Sequence, residues 1–250
     1  MPSSRLGSAL AEYSVYLRSL WHTPAAFRRH LVEAVGLWSR GDRQASAWAP
    51  HLARTRAVIG ATIDGISPRR TVAVLGSGPL FDVPVETLAN AFERVLLIDV
   101  AHLAVIDRRL KAYPNVVRVW RDLAPEGDQT PLAFLHQIDN LDWVISVNLL
   151  SQIARGAADG RERAAIDAHL GGLSELKTLV TLVTDTDYRV LDGAGTVIEE
   201  FDLLYGASLP PAVSQWQWEV APLGEEAPDT RRVHAVAAFP DWHAARGSQH

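Results

Sequence analysis

The sequence predicts an α/β fold: a mostly parallel, doubly wound sheet carrying an N-terminal helical cap. Three observations carry this. Residues 5–65 show apolar residues at helical spacing. From Thr71 onward, short β-branched runs alternate with helical stretches. The runs are apolar throughout, as strands buried on both faces must be.

The cap comes first. In "HTPAAFRRHLVEAVGLW", Thr23 is an expected N-cap with Pro24 at the first helical position. Phe27, Leu31, Val35 and Trp38 then fall on one face. A further helix carries Trp48, Leu52, Ile59 and Ile63, with Pro50 near its start or kinking it and Gly65 as its stop. Residues 1–66 are thus expected to form the cap, and 67–250 the sheet domain.

The strands follow in order. "TVAVLG" is the first, "RVLLID" the second, "NVVRVW" the third, "DWVISV" the fourth and "TLVTLVT" the fifth. Between them, "VETLANAF" and "HLAVIDRRLKAY" have helical spacing, and a further helix is expected near 161–172. The rhythm breaks after Thr184. "YRVLDGAGTVIEEFD" reads as a hairpin around Asp192–Gly195, an insertion near 187–202. "SQWQWEV" and "RVHAVAAF" read as a final antiparallel pair.

Composition narrows the function. The 250 residues carry a net charge of -5 and no cysteine. This excludes disulfides and thiolate chemistry and fits a cytoplasmic protein. No apolar run is long enough to span a bilayer, and no secretory leader is read at the N-terminus. Residues 1–70 hold ten Arg, no Lys and four acids, while the remainder is strongly acidic. The arginines are scattered along helices, so they read as solvated faces, and the sequence argues against a nucleic-acid partner. Its nine histidines show no metal-ligand spacing, and no metal is expected.

The chemistry is expected at the carboxyl ends of the strands. Gly76 and Gly78 follow the first strand directly, and Asp99 ends the second, 21 residues after Gly78. Such an acid either caps the following segment or accepts hydrogen bonds from ribose hydroxyls. A dinucleotide fingerprint needs a small residue at position 81, where this chain has Phe81, and Asp82 adds negative charge where a pyrophosphate would lie. A phosphate-free cationic nucleoside, S-adenosylmethionine (SAM), suits the turn better than NAD.

At this point the chain resembles the class I SAM-dependent methyltransferases, over roughly residues 45–240. "AVLGSGPLF" resembles the family's first motif, with Leu75 and Leu80 where an acid and a third glycine are usual. "LLIDVAH", "VRVWRDL" and "LDWVISVNLLSQI" resemble the next three. The resemblance implies a seven-stranded sheet of order 3-2-1-4-5-7-6, with the last strand antiparallel. It implies SAM as cofactor, contacted by Gly76, Ser77, Gly78, Asp99, Val100, Asp122, Leu123 and Asn148. Asp122 would meet the adenine amino group and Asn148 the methionine end.

Methyl transfer needs alignment more than a fixed triad. His51, on the helix before the sheet, is a candidate base or cofactor clamp, Asn148 a candidate acceptor or cofactor ligand, and Tyr188 a candidate acceptor contact. Asp185 and Asp187 touch the acceptor or merely form a turn. His102 lies nearer the adenosine and is discounted as a base. Trp216 and Trp218 share one strand face and either pack on a helix or wall an acceptor. The hairpin and the N-terminal helices are expected to roof a small-molecule acceptor pocket. Aminocarboxypropyl transfer from SAM, and SAM binding without transfer, are the alternatives.

Overall fold

The computed structural model describes residues 3–127 and 129–247. Three helices lead: α1 (Ser3–His22), α2 (Leu31–Arg43) and α3 (Ala45–Ile63). Strands and helices then alternate through β1 (Thr71–Leu75), α4 (Val85–Ala91), β2 (Arg94–Asp99), α5 (Asp107–Leu110), β3 (Val116–Trp120), β4 (Leu141–Val147), α6 (Leu150–Gly156) and α7 (Glu162–Glu175). The chain ends in β5 (Leu179–Asp192), β6 (Val197–Asp202), β7 (Ser214–Ala221), β8 (Thr230–Phe239) and α8 (Trp242–Gly247).

The sheet order is β3-β2-β1-β4-β5-β8-β7. β1 to β5 run parallel, and β8 enters antiparallel between β5 and β7. This is the expected order, with one more strand than the expected seven. The addition, β6, pairs with β5 off the main path. Its partner is an outward continuation of β5, so the expected fifth strand and first hairpin arm form one 14-residue strand. A register shift between Asp185 and Asp187 absorbs the polar stretch that reads as a turn.

Alternation within the strands splits the core between two faces. Val72 and Val74 of β1 face Ile59 and Ile63 of α3 and Leu88 of α4. Ala73 and Leu75 face the other way, toward Leu150 of α6 and Leu173 of α7. Helices on both faces explain why β1 is buried at every position.

α1 and α2 pack elsewhere. Val15, Leu31 and Val35 cluster with Ala101 and Leu103, in the segment just after β2. Buried Ser19 fixes this contact, accepting the N–H of Ala104 at 2.9 Å and donating to Val15 O at 2.7 Å. The first turn of α2 is thereby held over the tip of β2.

Some local expectations need correction. Thr23 does not cap a following helix. Its hydroxyl and N–H both bond back to Ser19 O, at 2.8 and 3.1 Å, closing α1, and a 3-10 turn over Ala25–His30 precedes α2. The helical spacing of 102–113 is realised only as a 3-10 turn, Ala104–Ile106, followed by the single turn of α5. α3 runs through Pro50 without interruption. It ends in 3-10-type bonds, Gly65 N to Thr62 O and Ile66 N to Ile63 O.

Candidate functional site

The glycine turn after β1 is built on three left-handed residues, Gly76 (φ 72°), Gly78 (φ 48°) and Leu80 (φ 62°). Gly76 donates to Ile98 O of β2 at 3.0 Å. A Cβ there would press to 3.1 Å from the Leu149 side chain and 3.3 Å from Val147 O, so both space and dihedral demand glycine. Leu80 keeps a glycine-like conformation despite its side chain. That strain costs about 1–2 kcal/mol, and full burial of Leu80 among Val72, Val74 and Leu88 offsets it. Arg109 of α5 holds the turn from outside, donating to Leu80 O at 2.9 Å. It also forks onto Glu86 at 2.8 and 2.9 Å, which lowers the Glu86 pKa.

Asp99, at the tip of β2, connects to this turn directly. Its Oδ2 accepts the Gly78 N–H at 2.8 Å and its Oδ1 accepts the Ala101 N–H at 3.1 Å. Burial pushes its pKa up, and N–H donors from Gly78, Ala101 and Val100 pull it back. Two carboxylate oxygens offer about four acceptor positions, so capacity remains for a ligand's hydroxyls.

A cavity of about 690 Å³ opens beside these groups. Gly76, Asp99 and Val100 line it from β1 and β2, Asp122 and Leu123 from beyond β3, and Leu149 from beyond β4. Arg29 and His30 of the 3-10 turn and Glu33 of α2 line it from the N-terminal side. Asp122 caps its own loop, accepting the Ala124 N–H at 3.0 Å. Its other oxygen lies 3.9 Å from the Arg29 guanidinium, an exposed pair of little energetic weight. Residues 187–202 of the hairpin, expected to help roof an acceptor pocket, are absent from this lining.

Ser77 is fully buried in the turn, and its Oγ has no partner. Asn148 sits at φ 48° just after β4, a left-handed position that asparagine tolerates. Its amide donates to Asp82 Oδ2 at 2.7 Å and lies 3.2 Å from His51 Nε2. Burial raises the Asp82 pKa to about 6, and the Asn148 hydrogen bond pulls it down in part. The structure therefore gathers Asn148, His51 and Asp82 behind the glycine turn rather than in the lining of the cavity.

His51 is 1% exposed and stacks on Trp218 at 4.1 Å. Trp216 Nε1 can only donate, and it donates to His51 Nδ1 at 3.1 Å. Nδ1 is therefore bare, and the neutral ring carries its proton on Nε2. Burial lowers its pKa to about 4, with Asp185 and His234 close enough to act on it in opposite senses. With its one lone pair, on Nδ1, held by the Trp216 N–H, His51 has none free to take a proton. That arrangement does not suit the expected role of base.

Tyr188 is not brought to this group. It lies on the outer half of β5, donating to Glu199 and stacking on Phe201 and His234. Asp187 accepts from Thr186 Oγ1 at 2.8 Å. Asp185 instead turns inward to His234 Nδ1 at 2.9 Å. His234 escapes sequence reasoning because its partner is 49 residues away, and only the β5–β8 register unites them. His102 is buried against Val119 O at 3.2 Å, its pKa lowered to about 4 by burial. Trp48 donates to Val220 O at 3.0 Å and meets Trp218 edge-on, fastening α3 to β7. Among the described residues no group of three or more His, Asp or Glu could hold a metal ion. No helix among them is long and apolar enough to cross a membrane.

An open, mostly parallel sheet with this strand order, a glycine turn after β1 and an acid at the tip of β2 defines a Rossmann-like fold. No protein-family model matches the sequence, and no curated protein matches it. Solved structures similar to it include the N-methyltransferase NodS from Bradyrhizobium japonicum WM9 with S-adenosylhomocysteine (SAH). That match has 16% identity and a TM-score of 0.39 over 76% of this chain and 87% of that one. DhpI with SAH matches at 18% identity and a TM-score of 0.38, over 92% and 98%. The 1,6-didemethyltoxoflavin-N1-methyltransferase of Burkholderia thailandensis matches at 15% identity and a TM-score of 0.40, over 96% and 91%. The fold assignment itself rests on strand order and the geometry of the turn.

Proposed function

We propose that this protein is a SAM-dependent methyltransferase acting on a small molecule. The observation that carries the reading is the Asp99–Gly78 contact at the edge of the 690 Å³ cavity. That volume lies within the roughly 300–1,000 Å³ range of small-ligand clefts. The residues present fit an adenosyl sulfonium. Asp99 has acceptor capacity for two ribose hydroxyls, and Asp122 and Leu123 line the side expected for adenine. Ser77 Oγ is a buried hydroxyl without a partner in the turn itself.

The fit to a dinucleotide is poor. A pyrophosphate needs a helix N-terminus behind the glycine turn. Here α4 starts only at Val85, after Pro84, and half-buried Asp82 lies between. SAM supplies an activated methyl group when bound. The protein's own residues supply alignment and exclusion of water: Asp99 and the turn hold the nucleoside, and residues 1–66 close over it as a cap. Asn148 and His51 are proposed to fix the methionine end from behind the turn. The charge distribution favours a small-molecule acceptor over nucleic acid, and the cysteine-free composition suits the cytoplasm.

Calorimetry with SAM, SAH and NAD tests the reading. SAM and SAH are expected to bind one per chain and NAD not at all. Binding of NAD without binding of SAH would overturn it. Radiolabel from methyl-labelled SAM should pass to a small-molecule acceptor with SAH as the coproduct, whereas aminocarboxypropyl transfer would leave the label in methylthioadenosine.

A further inference from the structure

α1 is apolar on two sides, and the chain covers one of them. On the inner side Val15 is buried with Leu31, Val35 and Leu103, and Tyr16 and Leu20 pack beside it. The outer side carries Leu10 (66% exposed), Tyr13 (62%), Leu17 (38%) and Trp21 (85%). Successive spacings of three, four and four residues set these on one stripe. A surface helix ordinarily turns polar residues to water, and one that is apolar all round is buried all round. Of the exposed residues from Ala9 to Trp21, only Arg18 is charged.

The stripe is large enough for pairing. Its four side chains leave roughly 500 Å² of mostly apolar surface open, the two aromatic rings supplying most of it. Two such stripes face to face remove about 1,000 Å² from water, which reaches the threshold for a specific protein interface. The row beside it is small, since Ala11 and Ser14 are exposed along one flank of Leu10, Leu17 and Trp21. Large rows pack into small ones when two helices cross. A single cation is too few for an anionic membrane surface, which draws on several Lys or Arg.

We propose that the outer face of α1 binds a second copy of this chain, the two helices running antiparallel about a two-fold axis beside Ser14. Each copy then offers the same patch to the other, as a two-fold interface requires. Leu17 of one copy lies against Ala11 of the other, and the aliphatic stem of Arg18 lies along Leu10. The two Arg18 residues stand about 12 Å apart along the helix axis. That exceeds the ~8 Å screening length at physiological ionic strength, so like charge does not oppose the pair. Ser19 ties the inner side of α1 to Ala104, so the two chains join through their caps.

The chain has no cysteine, so one introduced thiol reports one contact. Under mild oxidation, Ser14→Cys should form a disulfide-linked dimer well before Ser208→Cys, an exposed position between β6 and β7. Equal cross-linking of the two, or none with Ser14→Cys, overturns the proposal. In analytical ultracentrifugation the wild type should show twice the mass of one chain and fall toward one on dilution. Leu10→Glu combined with Trp21→Glu should stay single at every concentration and keep the wild-type circular dichroism, since both side chains are mostly exposed. A wild type that is always single, or a variant that pairs as well, overturns the proposal. Vesicles of phosphatidylcholine and phosphatidylserine test the other apolar occupant. The wild type should not sediment with them, and sedimentation that the double variant loses would give this face to a membrane and overturn the proposal.

Discussion

The backbone N–H of Gly78 donates to the carboxylate of Asp99 across 2.8 Å, joining the turn after β1 to the tip of β2. One side chain therefore shapes the turn and presents acceptor positions to the cavity. Asp99→Ala removes both functions. SAH affinity should fall by roughly 1–3 kcal/mol, the worth of charge-assisted hydrogen bonds. Calorimetry checks this, and unchanged affinity would remove Asp99 from the site.

Ser77 separates binding from folding. Its hydroxyl is buried without a partner, so removing it spares an unpaid desolvation. Ser77→Ala should leave the melting temperature unchanged or raise it, while SAH binding weakens. A variant that melts early and binds normally would show the hydroxyl to be structural.

Leu80 sets two effects against each other. Glycine there relieves about 1–2 kcal/mol of left-handed strain. It also removes a fully buried leucine, a loss of about 2–5 kcal/mol for truncation to alanine alone. The second term wins, so Leu80→Gly should destabilise the protein by roughly 1–3 kcal/mol. Urea denaturation measures the difference, and a more stable variant would contradict the weighting.

Acid should unfold the protein through buried imidazoles. Burial lowers His51 and His102 to about 4 and His169 to about 3, from an ordinary value of 6.5. As pH falls below 6.5 the unfolded chain binds protons that the folded one refuses, so stability declines until those lower values are reached. Asp82 acts oppositely. Raised to about 6, it is protonated in the folded state before the unfolded one, which adds stability as pH falls from 6 toward 3.8. Asp99, also raised by burial, acts in the same sense as Asp82, and the three imidazoles outweigh the two carboxyls. Urea midpoints should drop between about pH 7 and about pH 5, and drop further in Asp82→Asn, which lacks the offset. A flat profile would contradict the histidine assignments.

Much of the sheet is legible because its strands are apolar on both faces: "TVAVL", "RVLLID" and "DWVISV" admit few other readings. Asp99 is legible for a related reason, as a lone acid ending such a run. The joint within β5 is not. Asp185 and Asp187 read as a turn between the fifth strand and the hairpin, and only pairing with β8 carries the strand through them. α6 escapes notice because "LSQIARG" gives two turns at most and begins almost directly after β4. The Thr23–Pro24 pair has the chemistry of a helix start, yet the neighbouring Ser19 carbonyl captures the threonine. Asn148 and Asp82 are visible as residues but their bond is not, since 66 positions separate them.

The insertion of β8 between β5 and β7 has a consequence for synthesis. β7 pairs with β8 alone, so a nascent chain that has emerged only as far as Ala221 holds a tryptophan-bearing strand with no neighbour to receive it. Until Thr230–Phe239 leaves the ribosome, β5 also keeps a long apolar edge open. Translation must outpace clustering of these edges, which makes the last strand out the one that decides how much protein reaches a soluble state.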